Sequence, residues 1–330
     1  MVAPYSKKHL LDFLLQSIDR GGWRALVSST SHPFRLRVFR GDERGFNLCA
    51  YIWNCTHGGG SARAKDEYRI QFTGVVPEVH AGEITLLLGW HDGYGIFVGW
   101  DISKHNGQAS KSPSAQVKED ALANAHGHAF SIHHRSNEEI VVAFRPEFLV
   151  DYALNAASLH KTGKAAEELS LLNSLDTITD EQIGEIENKE RRTILSQIAR
   201  KYRAYDFRRR VLGAYEHHCA ACGVQLDLID AAHIVPVADA FSTDETTNGV
   251  AFCKLHHAAF DRNLISFDEK YRIEVSALEV ERLMDANLAG GIKEFKQHLK
   301  PAIILPSDKR DYPDPAYIKR ARLVRNWSVA

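Results

Sequence analysis

The stretch Phe252–Asp261, FCKLHHAAFD, decides the fold of the second half of this chain, because it contains half of a metal site. Cys253 and His256 are separated by two residues, and an earlier CxxC knuckle supplies Cys219 and Cys222. Two such pairs of sulfur and imidazole ligands suit tetrahedral Zn²⁺. The sequence therefore predicts a structural zinc that closes a small domain. A buried thiol pair with histidines at the surface is the alternative interpretation.

Composition places the chain among ordinary globular proteins. It has 330 residues, 44% of them hydrophobic and 25% charged, which is enough for two domains. No apolar run is long enough to cross a bilayer and the N-terminus has no apolar signal region, so we expect a cytoplasmic protein without a membrane partner. The net charge of -1 means that any contact with nucleic acid has to rest on local basic patches.

The pattern of hydrophobic and polar residues changes along the chain and predicts an α+β protein. Residues 1–20 have a helical apolar stripe, and residues 34–148 hold short β-branched and aromatic runs separated by turn signals. We predict three segments: a mostly antiparallel β-rich domain of six or seven strands, a charged helical linker, and a zinc-stabilised domain with a helical extension. They are 1–160, 161–204 and 205–330, respectively.

Three short segments that follow the CxxC knuckle contain the candidate catalytic residues: AAHIVP, NGVAFC and LHHAAFD. They place His233, Asn248 and His257 in this order within a zinc-bracketed unit. The arrangement resembles the HNH nucleases of the ββα-metal superfamily, in particular the forms found in restriction endonucleases. The resemblance covers residues 205–268 and implies a ββα-metal fold for them.

The resemblance also implies roles for these residues in phosphodiester hydrolysis. His233 matches the general base, Asn248 the asparagine that orients it, and His257 a ligand of a catalytic Mg²⁺ or other divalent ion. Many HNH nucleases carry a metal-binding aspartate at the position of Ala232. We assign its role to Asp261, which follows His257 by one helical turn. Asp230 is the weaker candidate, since it lies on the opposite face of a regular strand from His233.

Two basic segments are candidate DNA contacts, although a charge run is usually a solvated face. One lies on a predicted helix before the zinc knuckle, and the other lies in a glycine-rich loop for which a long hairpin connection is the preferred interpretation. Their residues are Arg200, Lys201, Arg203, Arg208, Arg209 and Arg210 in the first, and Arg63 and Lys65 in the second.

Together these features predict a restriction-type DNA endonuclease. Its first domain would select the target, with selection of modified, for example methylated, DNA left open. The expected partner is double-stranded DNA, and cutting both strands from one site per chain favours a homodimer. Two alternatives stay open: a catalytically inactive, zinc-stabilised DNA-binding protein, and an HNH nuclease whose first domain senses a small ligand.

Overall fold

The computed structural model of this protein describes residues 4–41, 43–57, 64–72, 75–106, 114–135 and 138–327. The chain divides into two compact units, Met1–Tyr202 and Arg203–Ala330. Among the described residues, no helix combines the length and the apolar character needed to span a bilayer.

The first unit contains two sheets. Its strands are β1 (Arg24–Ser29), β2 (Phe34–Arg40), β3 (Glu43–Asn54), β4 (Thr56–His57), β5 (Glu67–Gln71), β6 (Ile84–His91), β7 (Ile96–Trp100), β8 (Ser114–Lys118), β9 (Phe130–His134) and β10 (Ile140–Phe144). The larger sheet has the order β1-β2-β3-β6-β7-β10-β9, and the smaller has the order β4-β5-β8. All neighbouring strands are antiparallel except β3 and β6, which run parallel. The sheet-rich character predicted for this region is thus confirmed.

Burial explains the sequence patterns of these strands. In β2, Phe34, Leu36 and Val38 are buried whereas the alternate arginines are partly exposed, because only one face meets the core. β7 and β10 are buried along their whole length, since one face packs in the core shared with the helices and the other in a core beneath the smaller sheet.

The helices of the first unit pack on the larger sheet. They are α1 (Lys7–Arg20), α2 (Ile102–His105), α3 (Glu119–His128), α4 (Leu149–Leu159), α5 (Lys164–Leu169), α6 (Asp180–Gly184) and α7 (Lys189–Ala214), within which the boundary between the units falls. Leu10, Leu14 and Ile18 of α1 belong to its core. So do Leu169, Ile183 and Leu195 from the stretch 161–204, which therefore contributes apolar side chains to the first unit up to Tyr202.

The second unit is built around a ββα element. Its elements after α7 are β11 (Ile229–His233), β12 (Gly249–Cys253), α8 (Lys254–Asp261), β13 (Ile265–Phe267), β14 (Ile273–Val275), α9 (Ala277–Asp285), α10 (Ile292–His298) and α11 (Pro315–Val324). β11 and β12 are antiparallel, with His233 opposite Gly249 and Ile229 opposite Cys253. The Gly249 Cα lies so close to α7 that a Cβ there would be 2.2 Å from Val211 Cγ2.

Candidate functional site

A cluster of three cysteines and one histidine lies at the junction of the CxxC knuckle, β12 and α8. The ligand atoms of Cys219, Cys222, Cys253 and His256 lie within 4.8 Å of one another, and no other group of three or more potential ligands occurs in the described part of the chain. His256 Nδ1 is 3.4 Å from Cys219 Sγ and 3.2 Å from Cys253 Sγ. A tetrahedral zinc separates a sulfur and a nitrogen ligand by about 3.5 Å. The donor set and its spacing therefore fit zinc.

The local backbone of the knuckle explains why these cysteines converge. Gly223 adopts φ +81°, a left-handed conformation that glycine takes at little cost, and its N–H donates to Cys219 O at 2.7 Å. Burial raises the pKa of the Cys219, Cys222 and Cys253 thiols above its ordinary value. A bound cation is what would convert these thiols to thiolates near neutral pH.

His233 ends β11 with its ring held from two directions. The ring stacks on Phe207 at a centroid distance of 3.8 Å and an interplanar angle of 12°. Its Nε2 lies 2.9 Å from Asp244 Oδ1. The imidazole is thus fixed in orientation while its side chain keeps partial access to solvent.

Asn248 is fully buried and connects both ends of the loop between β11 and β12. Its Oδ1 accepts a hydrogen bond from Val235 N at 2.9 Å, and its Nδ2 donates to Thr243 O at 2.8 Å. Its backbone carbonyl accepts from Ile234 N at 2.8 Å. These contacts hold the chain on the C-terminal side of His233, and so they suit the orienting role expected for Asn248.

The adjacent histidines of α8 face different surroundings. His256 is 2% exposed and packs near Phe295, whereas the His257 side chain is 23% exposed. His257 Nε2 lies 3.4 Å from Asp261 Oδ2, whose side chain is 59% exposed. Neighbouring ligands of a hydrated divalent cation are about 3 Å apart. His257 and Asp261 are therefore placed so that they fit one such ion with water or phosphate in its other positions.

Asp230 and Ala232 occupy positions that are less suitable for binding a catalytic metal ion. The Asp230 carboxylate accepts hydrogen bonds from Arg208 Nε at 2.9 Å and Lys254 Nζ at 2.7 Å. Burial raises the pKa of Asp230, but its bonds to Lys254 and Arg208 outweigh this and leave that pKa below its ordinary value. Ala232 is buried in the apolar core of the unit. The geometry thus favours Asp261 over Asp230 as a metal ligand.

The basic residues of α7 are largely bonded to acceptors of the chain itself. Arg209 Nη2 and Arg210 Nε each donate to the Asp206 carboxylate at 2.7 Å, and Arg208 bonds Asp230. Lys201 pairs with Asp151, whereas Arg200 is exposed. Arg203 also has a partner of its own. In the glycine-rich loop Lys65 is exposed, and Arg63 lies outside the described residues.

Three residues of the site are missing from the sequence-based prediction: Phe207, Asp244 and Tyr317. Tyr317 Oη lies 2.8 Å from both Thr243 Oγ1 and Glu245 Oε2, the residues on either side of Asp244. The acidic loop FSTDETTN before Gly249 is the one signal that points to Asp244. Tyr317 is 73 positions from Asp244, so no local pattern links the two.

Two different family models match the two units of the chain. Residues 219–268 match the family model described as HNH endonuclease, and residues 46–153 match the one described as Methylase-associated X1. A solved structure titled "Modification dependent TagI restriction endonuclease" is similar at 12% identity and a TM-score of 0.29, over 85% of this chain and 81% of that one. No curated protein matches the chain. The resemblance drawn from residues 205–268 is confirmed by the first of these matches.

Proposed function

With residues 219–268 as an HNH endonuclease domain, we propose that this protein is a restriction-type endonuclease that hydrolyses phosphodiester bonds of double-stranded DNA. The proposal rests on the positions of three residues in one ββα element: His233 at the end of β11, Asn248 immediately before β12 and His257 on α8. His233 is the general base: it accepts a proton from the water that attacks phosphorus. The bond from phosphorus to the 3′ oxygen breaks, which leaves a 5′-phosphate and a 3′-hydroxyl.

The remaining residues of the site position the general base or hold the ion that stabilises the phosphate charge. Asn248 keeps the loop after His233 in place, and His257 and Asp261 would hold Mg²⁺ or another divalent ion. Such an ion, when bound, stabilises negative charge on the phosphate and on the leaving oxygen. A zinc ion held by Cys219, Cys222, Cys253 and His256 would have a structural role only, since these four residues would leave no position open for substrate.

The first unit is proposed to select the DNA, including modified DNA. The name of the family matched by residues 46–153, Methylase-associated X1, supports this, because a nuclease that acts beside a methylase has to distinguish modified from unmodified sites. Phosphate contacts from the exposed Arg200 and Lys65 are part of the proposal. We also propose that the protein acts as a homodimer, which would bring two HNH sites to the two DNA strands. Its proposed role is in defence, and its proposed location is the cytoplasm.

The test is a plasmid cleavage assay with Mg²⁺ or Mn²⁺ on unmethylated and methylated forms of one plasmid. We expect the wild type to cut at least one form and His233→Ala to lower the rate by at least about 100-fold. His217→Asn removes an exposed imidazole of the same unit, at a left-handed backbone position that asparagine tolerates, and serves as the control. Equal cutting by wild type and His233→Ala, or binding of every DNA form without any cut, would overturn the proposed nuclease.

A further inference from the structure

We infer that Asp244 is the positioning residue of His233, and that α11 holds Asp244 in place from outside the HNH match. The inference deepens the proposed function and rests on it, since it concerns the same general base. The segment 242–246, here named the Asp244 loop, lies between β11 and β12.

The contact between the two side chains fixes the proton on one ring nitrogen. His233 Nε2 is 2.9 Å from Asp244 Oδ1, and a carboxylate can only accept a hydrogen bond. Nε2 therefore carries the hydrogen, and a neutral His233 keeps its lone pair on Nδ1. Stacking on Phe207 at a centroid distance of 3.8 Å restricts rotation of the His233 ring about its Cβ–Cγ bond. Asp244 thus determines which nitrogen accepts the proton of the attacking water.

The Asp244 loop is held on one side by Asn248 and Arg210. Asn248 Nδ2 donates to Thr243 O at 2.8 Å. Arg210 donates from Nη2 to Asp244 O at 2.6 Å and from Nη1 to Thr246 Oγ1 at 2.8 Å. The Asp206 carboxylate fixes the same guanidinium through Nε at 2.7 Å. The backbone of Asp244 is therefore bonded directly to α7.

On the other side the loop is held by α11. Thr243 Oγ1 donates to Tyr317 Oη, and Tyr317 Oη donates to Glu245 Oε2, each at 2.8 Å. One hydroxyl thereby links both neighbours of Asp244 in the chain. Arg320, one turn further along α11, pairs with Asp239 at 2.6 Å. Helix α11 therefore belongs to the working site although it lies beyond residue 268, where the HNH match ends.

An exposed salt bridge is the simpler interpretation of the same contact, because the Asp244 side chain is 43% exposed. Exposed ion pairs contribute little to folding stability, so on either interpretation removal of Asp244 leaves the protein folded. The two interpretations differ in the tautomer of His233 and in the cleavage rate. Both quantities are measurable in the full-length protein.

The experiment compares Asp244→Ala and Tyr317→Phe with two controls from the same unit. Asp227→Asn removes the charge of an exposed carboxylate elsewhere and tolerates the left-handed backbone there, and Tyr312→Phe removes a hydroxyl from the segment that leads into α11. Side-chain ¹⁵N shifts of His233, assigned with His233→Ala, report the tautomer. Steady-state cleavage of a plasmid separates kcat from KM.

We expect the wild type to populate the Nε2–H form of His233 and Asp244→Ala to populate a mixture. Asp244→Ala should lower kcat by about 10- to 100-fold with KM within about twofold, and Asp244→Asn, which keeps an acceptor oxygen, should recover part of the loss. Tyr317→Phe should lower kcat by about 3- to 10-fold and add little to Asp244→Ala, since both act through one contact. The two controls should match the wild type.

An unchanged tautomer together with an unchanged kcat in Asp244→Ala would overturn the inference, provided that its zinc content and circular dichroism equal those of the wild type. A loss in Tyr317→Phe that simply adds to the loss in Asp244→Ala would overturn the role of α11. If the wild type cuts no DNA, the proposed function fails, whereas the tautomer measurement still decides whether Asp244 fixes His233.

Discussion

His256 and His257 are neighbours in the chain but face different surroundings, because successive residues of a helix point about 100° apart. His256 Nδ1 faces the sulfurs of Cys219 and Cys253, and the residue is buried. His257 lies on the partly exposed face of α8 with Asp261 one turn further on. At the scale of single residues, the helical position of each imidazole therefore sets its surroundings, and the two proposed roles rest on that difference.

Two single substitutions test this division. We expect His256→Ala to lose its zinc and the folded state of the second unit, because a structural zinc contributes directly to folding. His257→Ala should keep about one zinc per chain and a native circular dichroism spectrum, while its cleavage rate falls by at least about 100-fold. Metal analysis and thermal melts of both variants provide the check. Equal loss of zinc and of folded structure in the two variants would contradict the assignment.

At the scale of elements, the orientation of His233, the proposed general base, depends on the close packing of β11 and β12 on α7. Gly249 pairs with His233 across the two strands and lies against Phe207 and Val211 of that helix. The same Phe207 supports the His233 ring. The position of α7 and the orientation of His233 are therefore coupled through the lack of a side chain at Gly249.

Gly249→Ala should disturb both stability and catalysis. The new Cβ would lie 2.2 Å from Val211 Cγ2 and 3.1 Å from the Phe207 ring, so strands and helix have to move apart. We expect a loss of about 1–3 kcal/mol in the free energy of unfolding and a slower cleavage reaction. Gly213→Ala is the matched control: it lies on α7 with no neighbouring atom within 4 Å of the new Cβ, and should be neutral or stabilising by up to about 1 kcal/mol. Chemical denaturation measures the free energy of unfolding of both variants. A Gly249→Ala variant with the stability of the wild type would contradict the close approach of Gly249 to α7.

At the scale of the whole molecule, the two units have separate means of stabilisation. The first unit has two extended apolar cores on the faces of its larger sheet. The second has one smaller core, and it also contains the Cys3His cluster. A metal ion bound by this cluster would add to the stability of the second unit alone.

Removal of metal should therefore affect one unit alone. We expect a strong zinc chelator to abolish the unfolding transition of the second unit and to leave that of the first unit within about 2 °C of its original temperature. Differential scanning calorimetry with and without chelator measures this, and restored zinc should bring the lost transition back. A chelator that lowers both transitions equally, or neither of them, would contradict a structural zinc confined to the second unit.

The sequence by itself determined the members of the Cys3His cluster, the order of His233, Asn248 and His257, and most strands of the first unit. These features depend on spacing within a few residues: a CxxC pair, one turn of a helix, or the alternation of a strand. Only the tertiary structure decided the parallel pairing of β3 with β6, the strands β1, β4 and β8, and the place of residues 161–202 in the first unit. It also brought Phe207 and Asp244 to His233, and Tyr317 to the Asp244 loop. Contacts between residues that lie far apart in the chain depend on how whole elements pack, and no local pattern of the sequence records that packing.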